Sequence, residues 1–379
     1  NPLMFFLENY ILEHLTYYKT TLKTKKYTYT YLSKININMT EYYYYITFFT
    51  LTLGVSFYLN GYINALFVGN KLTDPVNERS SHKSPATRSG GLSIFFSICL
   101  ACAFGISTGK LSIPLYALLG VFFMTFTGFA DDLITVRYRE KLFLQVFAAV
   151  LMIQSGYTVD SFHGIFNIYA LPYWAEIAVT LFVFVVVVNS LNLIDGLDGM
   201  ASFISIKFFL IVGGIILVSK PEWFLFFPII ISAILGFLWF NFNRTKKVFL
   251  GDTGSLFIGS IMAFLVFYLL DSETYLVSDT IISRPLLTVL LLLYPLVDTL
   301  RAFTIRTYNN KSPFVADRVH LHHRLADKGY QHWQASVLTF SLSVLTTILN
   351  LLLFSTVGLL GCVLLTSLLL VVFYIMFFK

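Results

Sequence analysis

From residue 44 onward the chain alternates between long apolar runs and short polar islands. Windows of about 20 residues, the length that crosses a bilayer as a helix, predict eleven helices. They run near 44–68, 91–108, 112–130, 142–156, 172–190, 200–219, 222–240, 254–270, 285–305, 335–354 and 357–378. The fourth is short for a full crossing. No period of 20–50 residues recurs, which excludes a solenoid. The pattern predicts an all-α, polytopic integral membrane protein.

Composition closes the alternatives. Of 379 residues, 57% are hydrophobic and only 12% charged, and mean hydropathy is +0.75. A soluble domain has too little interior to hide so many apolar side chains, and a disordered chain is poor in aromatics and rich in charge. The three cysteines all lie in apolar runs. Cys99 and Cys102 spell C-x-x-C, but a zinc or redox site wants polar surroundings, so both read as small apolar side chains.

The net charge of +6 gains meaning from its placement. If the loop at 70–90 is cytoplasmic, then that side carries seventeen Lys and Arg, and the other side has Lys110, Lys220 and Arg284. This is a positive-inside distribution. Residues 1–38 break it with five lysines and lack a signal-peptide layout. The expectation is that translation begins at Met39, that 1–38 is a non-functional upstream extension, and that 39–379 is a single membrane-embedded domain. A short extracytoplasmic tail is the alternative.

Nearly every carboxylate and histidine of interest falls at a predicted cytoplasmic helix end or loop, which favours chemistry at the inner membrane face. A transporter would instead place ionisable groups near the midplane. Lys207, a third of the way into its helix, is the main exception. A first island holds Asp74-Pro75, Arg79, His82, Lys83, Pro85 and Gly90-Gly91, a turn-rich basic loop suited to phosphate or simply to the positive-inside rule. A second is Asp131-Asp132, followed by Arg137, Arg139 and Lys141. Adjacent carboxylates at an apolar helix end need a cation, a bound phosphate or nearby bases. Their side chains point about 100° apart, so the two need not share one role.

In the third island Asn189, Asn192, Asp195 and Asp198 recur every three residues, which predicts one helical face, with Gly196 and Gly199 letting a ligand approach the backbone. Acidic and amide oxygens suit a hard cation such as Mg²⁺. The fourth, Gly251-Asp252-Thr253-Gly254-Ser255, opens another helix. Asp252 either caps that helix or completes a Mg²⁺ site with the third island. The fifth is Asp317-Arg318-Val319-His320-Leu321-His322-His323-Arg324. No pattern there completes a zinc site, whereas hydrogen bonding to a sugar and phosphate fits, with Arg318 and Arg324 suited to phosphate oxygens. Asp298 and Arg301, three apart, read as a local ion pair. No P-loop, G-x-S-x-G, H-E-x-x-H or Rossmann fingerprint is present, and the short basic loops hold few aromatics, so no nucleic-acid partner is expected.

These five islands, in this order, resemble the polyprenyl-phosphate N-acetylhexosamine-1-phosphate transferases, over about residues 44–354. The resemblance implies transfer of a sugar 1-phosphate from a UDP-sugar to a lipid-linked phosphate at the cytoplasmic face of the bacterial inner membrane, with UMP released. It implies Mg²⁺ held by Asn192 and Asp252, a catalytic pair at Asp131 and Asp132, and Lys141 paired with site charges. Asp195 and Asp198 would contact the nucleotide or the site wall. The His320-x-His322-His323 pattern is similar to that of polymer-initiating members, which points to UDP-N-acetylglucosamine as donor and undecaprenyl phosphate as acceptor. Another UDP-N-acetylhexosamine is the alternative, and a homodimer is an assembly open to it. A lipid-linked sugar transporter and a silent scaffold remain as other classes. The outer loops offer few polar groups to line a route, and an idle site has no need of clustered carboxylates.

Overall fold

A computed structural model describes residues 39–73, 86–274, 276, 279, 281–310 and 320–378, without the side chains of residues 40, 322, 323 and 326. The 1–38 extension, most of the first island, Asp317, Arg318 and the side chains of His322 and His323 lie outside the described residues.

The described chain is helical: α1 (Met39–Gly69), α2 (Gly90–Ser107), α3 (Leu115–Ile134), α4 (Tyr138–Ile153), α5 (Tyr173–Ile194), α6 (Met200–Ser219), α7 (Phe226–Phe242), α8 (Gly251–Leu270), α9 (Arg284–Leu291), α10 (Leu293–Tyr308), α11 (Leu321–Asp327) and α12 (His332–Phe378). The one β-feature among the described residues is a parallel bridge between Thr87 and Val248. All eleven predicted segments are helical, but they are not eleven equal spans. Eight helices among the described residues are long and apolar enough to cross a membrane, or nine if α9 and α10 count as one. This is a multi-pass membrane protein.

Three differences have local causes. Helix α4 has only 16 residues and opens on Tyr138, Arg139, Glu140 and Lys141, too short and polar for an ordinary crossing. The run predicted over 285–305 breaks at Leu292, where α9 and α10 meet at 77°. Pro295, three residues past the break, has no N–H to continue the ladder. Finally, α12 doubles back at Gly358, whose φ of +65° and ψ of −171° suit glycine alone. The Asn350 side chain donates to Thr366 Oγ1 across the turn at 3.0 Å, so the last two predicted spans form a hairpin.

Helix α8 is the axis of the fold. Every residue from Thr253 to Leu270 is buried, as expected of a helix apolar all round. Helices α2, α3 and α5 pack on it, and small residues set how closely. A Cβ on Gly128 of α3 would stand 2.3 Å from the Asp252 carbonyl oxygen. The end of α3 is thereby pressed against the start of α8, where the polar islands meet. Beside them, the Phe249 N–H donates to Thr87 O at 2.8 Å and the Gly91 N–H to Leu250 O at 2.9 Å. These bonds carry Arg88 to within 3.9 Å of Asp132.

Candidate active site

Helix α3 continues through Ile134, so Asp131 and Asp132 sit on its last turn rather than in a loop. As their spacing predicts, they diverge. Asp131 turns toward α4: its Oδ2 accepts from Lys141 Nζ at 2.8 Å and its Oδ1 from the Val136 N–H at 2.6 Å. Asp132 turns toward α8. Its Oδ1 accepts from the Asp252 N–H at 2.9 Å, and its Oδ2 from the Thr253 N–H at 2.8 Å and the Thr253 hydroxyl at 2.6 Å. Asp132 therefore caps α8 from another helix, meeting the unpaired donors and positive end of its first turn.

That arrangement answers whether Asp252 is a cap. The capping position is taken, and the Asp252 side chain is released into the site. Its Oδ1 accepts from Lys141 Nζ at 3.3 Å and from the amide nitrogen of Asn192. The Asn192 amide also donates to Ser255 Oγ at 2.8 Å. Four side chains from α3, α4, α5 and α8 thus form one chain, Asp131–Lys141–Asp252–Asn192.

The predicted single face over Asn189 to Asp198 holds only for its first half, because α5 ends at Ile194. Asn189 exchanges amide bonds with Gln145 of α4, at 2.7 and 3.2 Å. Asp195 stands at the helix end and Gly199 takes a φ of +75°, which swings Asp198 elsewhere. Asp198 pairs with Lys247 at 2.6 Å, and its carbonyl accepts from Ser336 at 2.8 Å. Asp195 stays in the field of Asp252 and Asp132. Burial first, and then those two charges, push its carboxyl well above the ordinary carboxylate range, against a bond from the Gly251 N–H.

Asp131, Asp132 and Asp252 thus share two cations, Lys141 and Arg88, leaving acidic groups in excess even before Asp195 is counted. Among the described residues no three His, Cys, Asp or Glu side chains converge to form an all-protein metal site. Mg²⁺ does not require one, since it binds through one or two protein oxygens with waters and substrate phosphates completing its shell. The Asp252 carboxylate and the Asn192 amide oxygen, which makes no hydrogen bond among the described residues, supply such a pair. The donor set fits Mg²⁺.

His320 belongs to a second cluster. It is 4% exposed, and its Nδ1 lies 2.8 Å from Oδ2 of the fully buried Asp298, whose Oδ1 accepts from the Leu321 N–H at 2.7 Å. Arg306 lies 3.3 Å from His320 Nε2. Asp298 thus fixes the start of the histidine helix α11, with Arg301 in its field. The Arg324 guanidinium stacks on Phe378, 5.1 Å from the ring centroid, and reaches the Tyr374 hydroxyl at 3.4 Å. It ties α11 to the end of α12.

Sequence reasoning missed Thr253 and Ser255 as site partners, although both lie inside the Gly-Asp-Thr-Gly-Ser motif. It missed Gln145, one turn after Lys141 and so on the same helical face. Lys247 counted only as a basic loop residue; its pairing with Asp198 carried no signal in the sequence.

The model of the family described as glycosyl transferase family 4 matches residues 114–270, which hold the Asp131–Lys141–Asp252–Asn192 chain. A probable undecaprenyl-phosphate N-acetylglucosaminyl 1-phosphate transferase of Bacillus subtilis is 31% identical over 274 residues, 68% of this chain and 71% of that protein. The decaprenyl-phosphate N-acetylglucosaminephosphotransferase of Mycolicibacterium smegmatis is 28% identical over 76% of each chain. An undecaprenyl-phosphate alpha-N-acetylglucosaminyl 1-phosphate transferase of Escherichia coli K12 is 26% identical over 73% of this chain and 75% of its own length. Identity of that extent, with the family match centred on the residues that build the site, makes this chain a member of glycosyl transferase family 4.

Proposed function

We propose that the protein transfers N-acetylglucosamine 1-phosphate from UDP-N-acetylglucosamine to undecaprenyl phosphate, at the cytoplasmic face of a bacterial inner membrane. An oxygen of the lipid phosphate forms a bond to the phosphorus that bears the sugar. The bond from that phosphorus to the UMP oxygen breaks, and its electron pair leaves with UMP. The names of the relatives support N-acetylglucosamine 1-phosphate as the transferred group and a polyprenyl phosphate as acceptor, and the basic loops support the orientation. The observation that carries the reading is the chain Asp131–Lys141–Asp252–Asn192, which joins the adjacent ends of four helices.

Such a reaction asks the protein to position two phosphates and offset their charge, with little covalent work. Lys141, held from both sides by Asp131 and Asp252, presents an ammonium where the lipid phosphate arrives. Asp131 acts by orienting Lys141, because both its oxygens are already engaged. Asp132 keeps the start of α8 in place and so positions Asp252. Asp252 and Asn192 would hold Mg²⁺, which when bound supplies positive charge that weakens the pyrophosphate link. His322, His323, Arg318 and Arg324 would meet the donor's sugar and phosphate, on a segment anchored by the buried His320 through Asp298 and Arg306.

The test is UMP release by purified, detergent-solubilised protein given UDP-N-acetylglucosamine and undecaprenyl phosphate, with Mg²⁺ or EDTA. UMP that requires both the lipid and the metal is expected. No UMP from a folded sample, with this or other UDP-N-acetylhexosamines, overturns the reading.

A further inference from the structure

Lys207 is the ionisable residue that neither the site nor the membrane boundary accounts for. It lies seven residues into α6, ~10 Å along the helix axis, and is only 5% exposed. No carboxylate pairs with it among the described residues. Its Nζ instead donates to the Leu290 carbonyl at 3.0 Å and to Ser343 Oγ at 2.6 Å. Both acceptors are buried and lie on other helices, α9 and α12. Thr347 Oγ1 donates to the same Leu290 carbonyl at 3.3 Å.

Leu290 stands in the last turn of α9, where the chain turns by 77° into α10. At this helix end the Leu290 carbonyl accepts the capping Leu292 N–H, and Lys207 and Thr347, on two other helices, supply further donors. An ammonium is costly at this depth and, in membrane proteins, usually serves a function. Here it joins the bend to α6, which starts just past the Asp195–Gly199 turn, and to α12, whose Ser336 holds the Asp198 carbonyl.

We propose that Lys207 is a positioning residue that locks the α9–α10 bend, and through it the placement of Arg306, Asp298 and His320 relative to Asp252. The lever is long. Arg306 lies about 20 Å along α10 from the bend, so a change of about 10° moves it by about 3 Å. A displacement of about 1 Å can already cost a reaction a large factor. The kinetic part of the proposal rests on the transferase reading, while its structural part does not.

The test uses the full chain with Cys99, Cys102 and Cys362 replaced by alanine and spin labels at Leu210→Cys on α6 and Leu300→Cys on α10, both exposed. In this background we compare Lys207→Met, Lys207→Gln, which keeps a donor, and Ser343→Ala, which leaves Lys207 intact. A narrow distance distribution is expected with Lys207 or Gln, and a broad or shifted one with Met. Ser343→Ala is expected to fall between and guards against misfolding of the Met variant. KM for UDP-N-acetylglucosamine is expected to rise on the order of tenfold in Lys207→Met, the size of one charge-assisted hydrogen bond. kcat should change far less and Gln should restore KM. Overlapping distributions for Met, Ser343→Ala and unsubstituted protein overturn the lock. A broadened distribution with unchanged KM overturns the positioning role. Absence of any UMP release in the unsubstituted protein sinks the transferase reading, and the distance data alone then decide the lock.

Discussion

Asp132 caps a helix to which it does not belong: its Oδ2 accepts both the N–H and the hydroxyl of Thr253, 121 residues away in sequence. One carboxylate therefore satisfies the first turn of the buried central helix and frees its neighbour Asp252 for the site. The second aspartate of the pair acts on architecture and the first on Lys141. This division explains why two adjacent acids can coexist at the end of one apolar helix.

Removing that cap has a defined cost. Asp132→Ala is expected to destabilise the protein by about 1–2 kcal/mol, the size of a lost N-cap, with transferase activity lost alongside because Asp252 shifts. Asp132→Asn, which retains an acceptor oxygen, should sit between. Thermal unfolding in detergent beside UMP release checks this, and equal melting temperatures for all three proteins would refute it.

Asp252→Ala should behave oppositely, leaving the fold and cap intact while lowering turnover by on the order of 10²–10⁴. Circular dichroism with initial rates separates the two variants. Near-normal turnover in a folded Asp252→Ala protein would remove Asp252 from the site.

Lys141 is bonded to two carboxylates, so its removal leaves both acids uncompensated. Lys141→Met is expected to weaken binding of the lipid phosphate strongly. A double-mutant cycle with Asp131→Asn should show coupling of about 0.5–3 kcal/mol, as for residues in direct contact. Additive effects would mean that the two act independently.

Gly128 tests the packing beneath the site. An added methyl would meet the Asp252 carbonyl oxygen at 2.3 Å, whereas a Cβ on Gly214 in α6 meets nothing within 4 Å. Gly128→Ala should lower both stability and activity. Gly214→Ala should be neutral or stabilise by about 0.5–1 kcal/mol through helix propensity. Matching melting curves for the two variants would contradict the close approach.

What the sequence determined by itself was whatever depends on local pattern. Twenty-residue apolar runs must become helices in a bilayer, since each backbone group needs a partner within its own segment. Basic loops mark one side, and the polar islands mark the helix ends that carry chemistry. Asp131, Lys141, Asn192 and Asp252 were all legible as candidates, and the structure brings them together. Only tertiary structure decided what each carboxylate faces. Asp132 meets Thr253, Asp198 meets Lys247 and His320 meets Asp298, because those contacts join segments far apart in sequence, whose approach is set by how the helices pack. The same holds for the break at Leu292 and the turn at Gly358, where an apolar run reads as continuous yet bends. Lys207 shows the limit most clearly: alone in its helix it has no evident reason, and its partners Leu290 and Ser343 lie 83 and 136 residues away. Hydrophobicity and charge are properties of a segment, whereas a hydrogen-bond partner is a property of the packed whole.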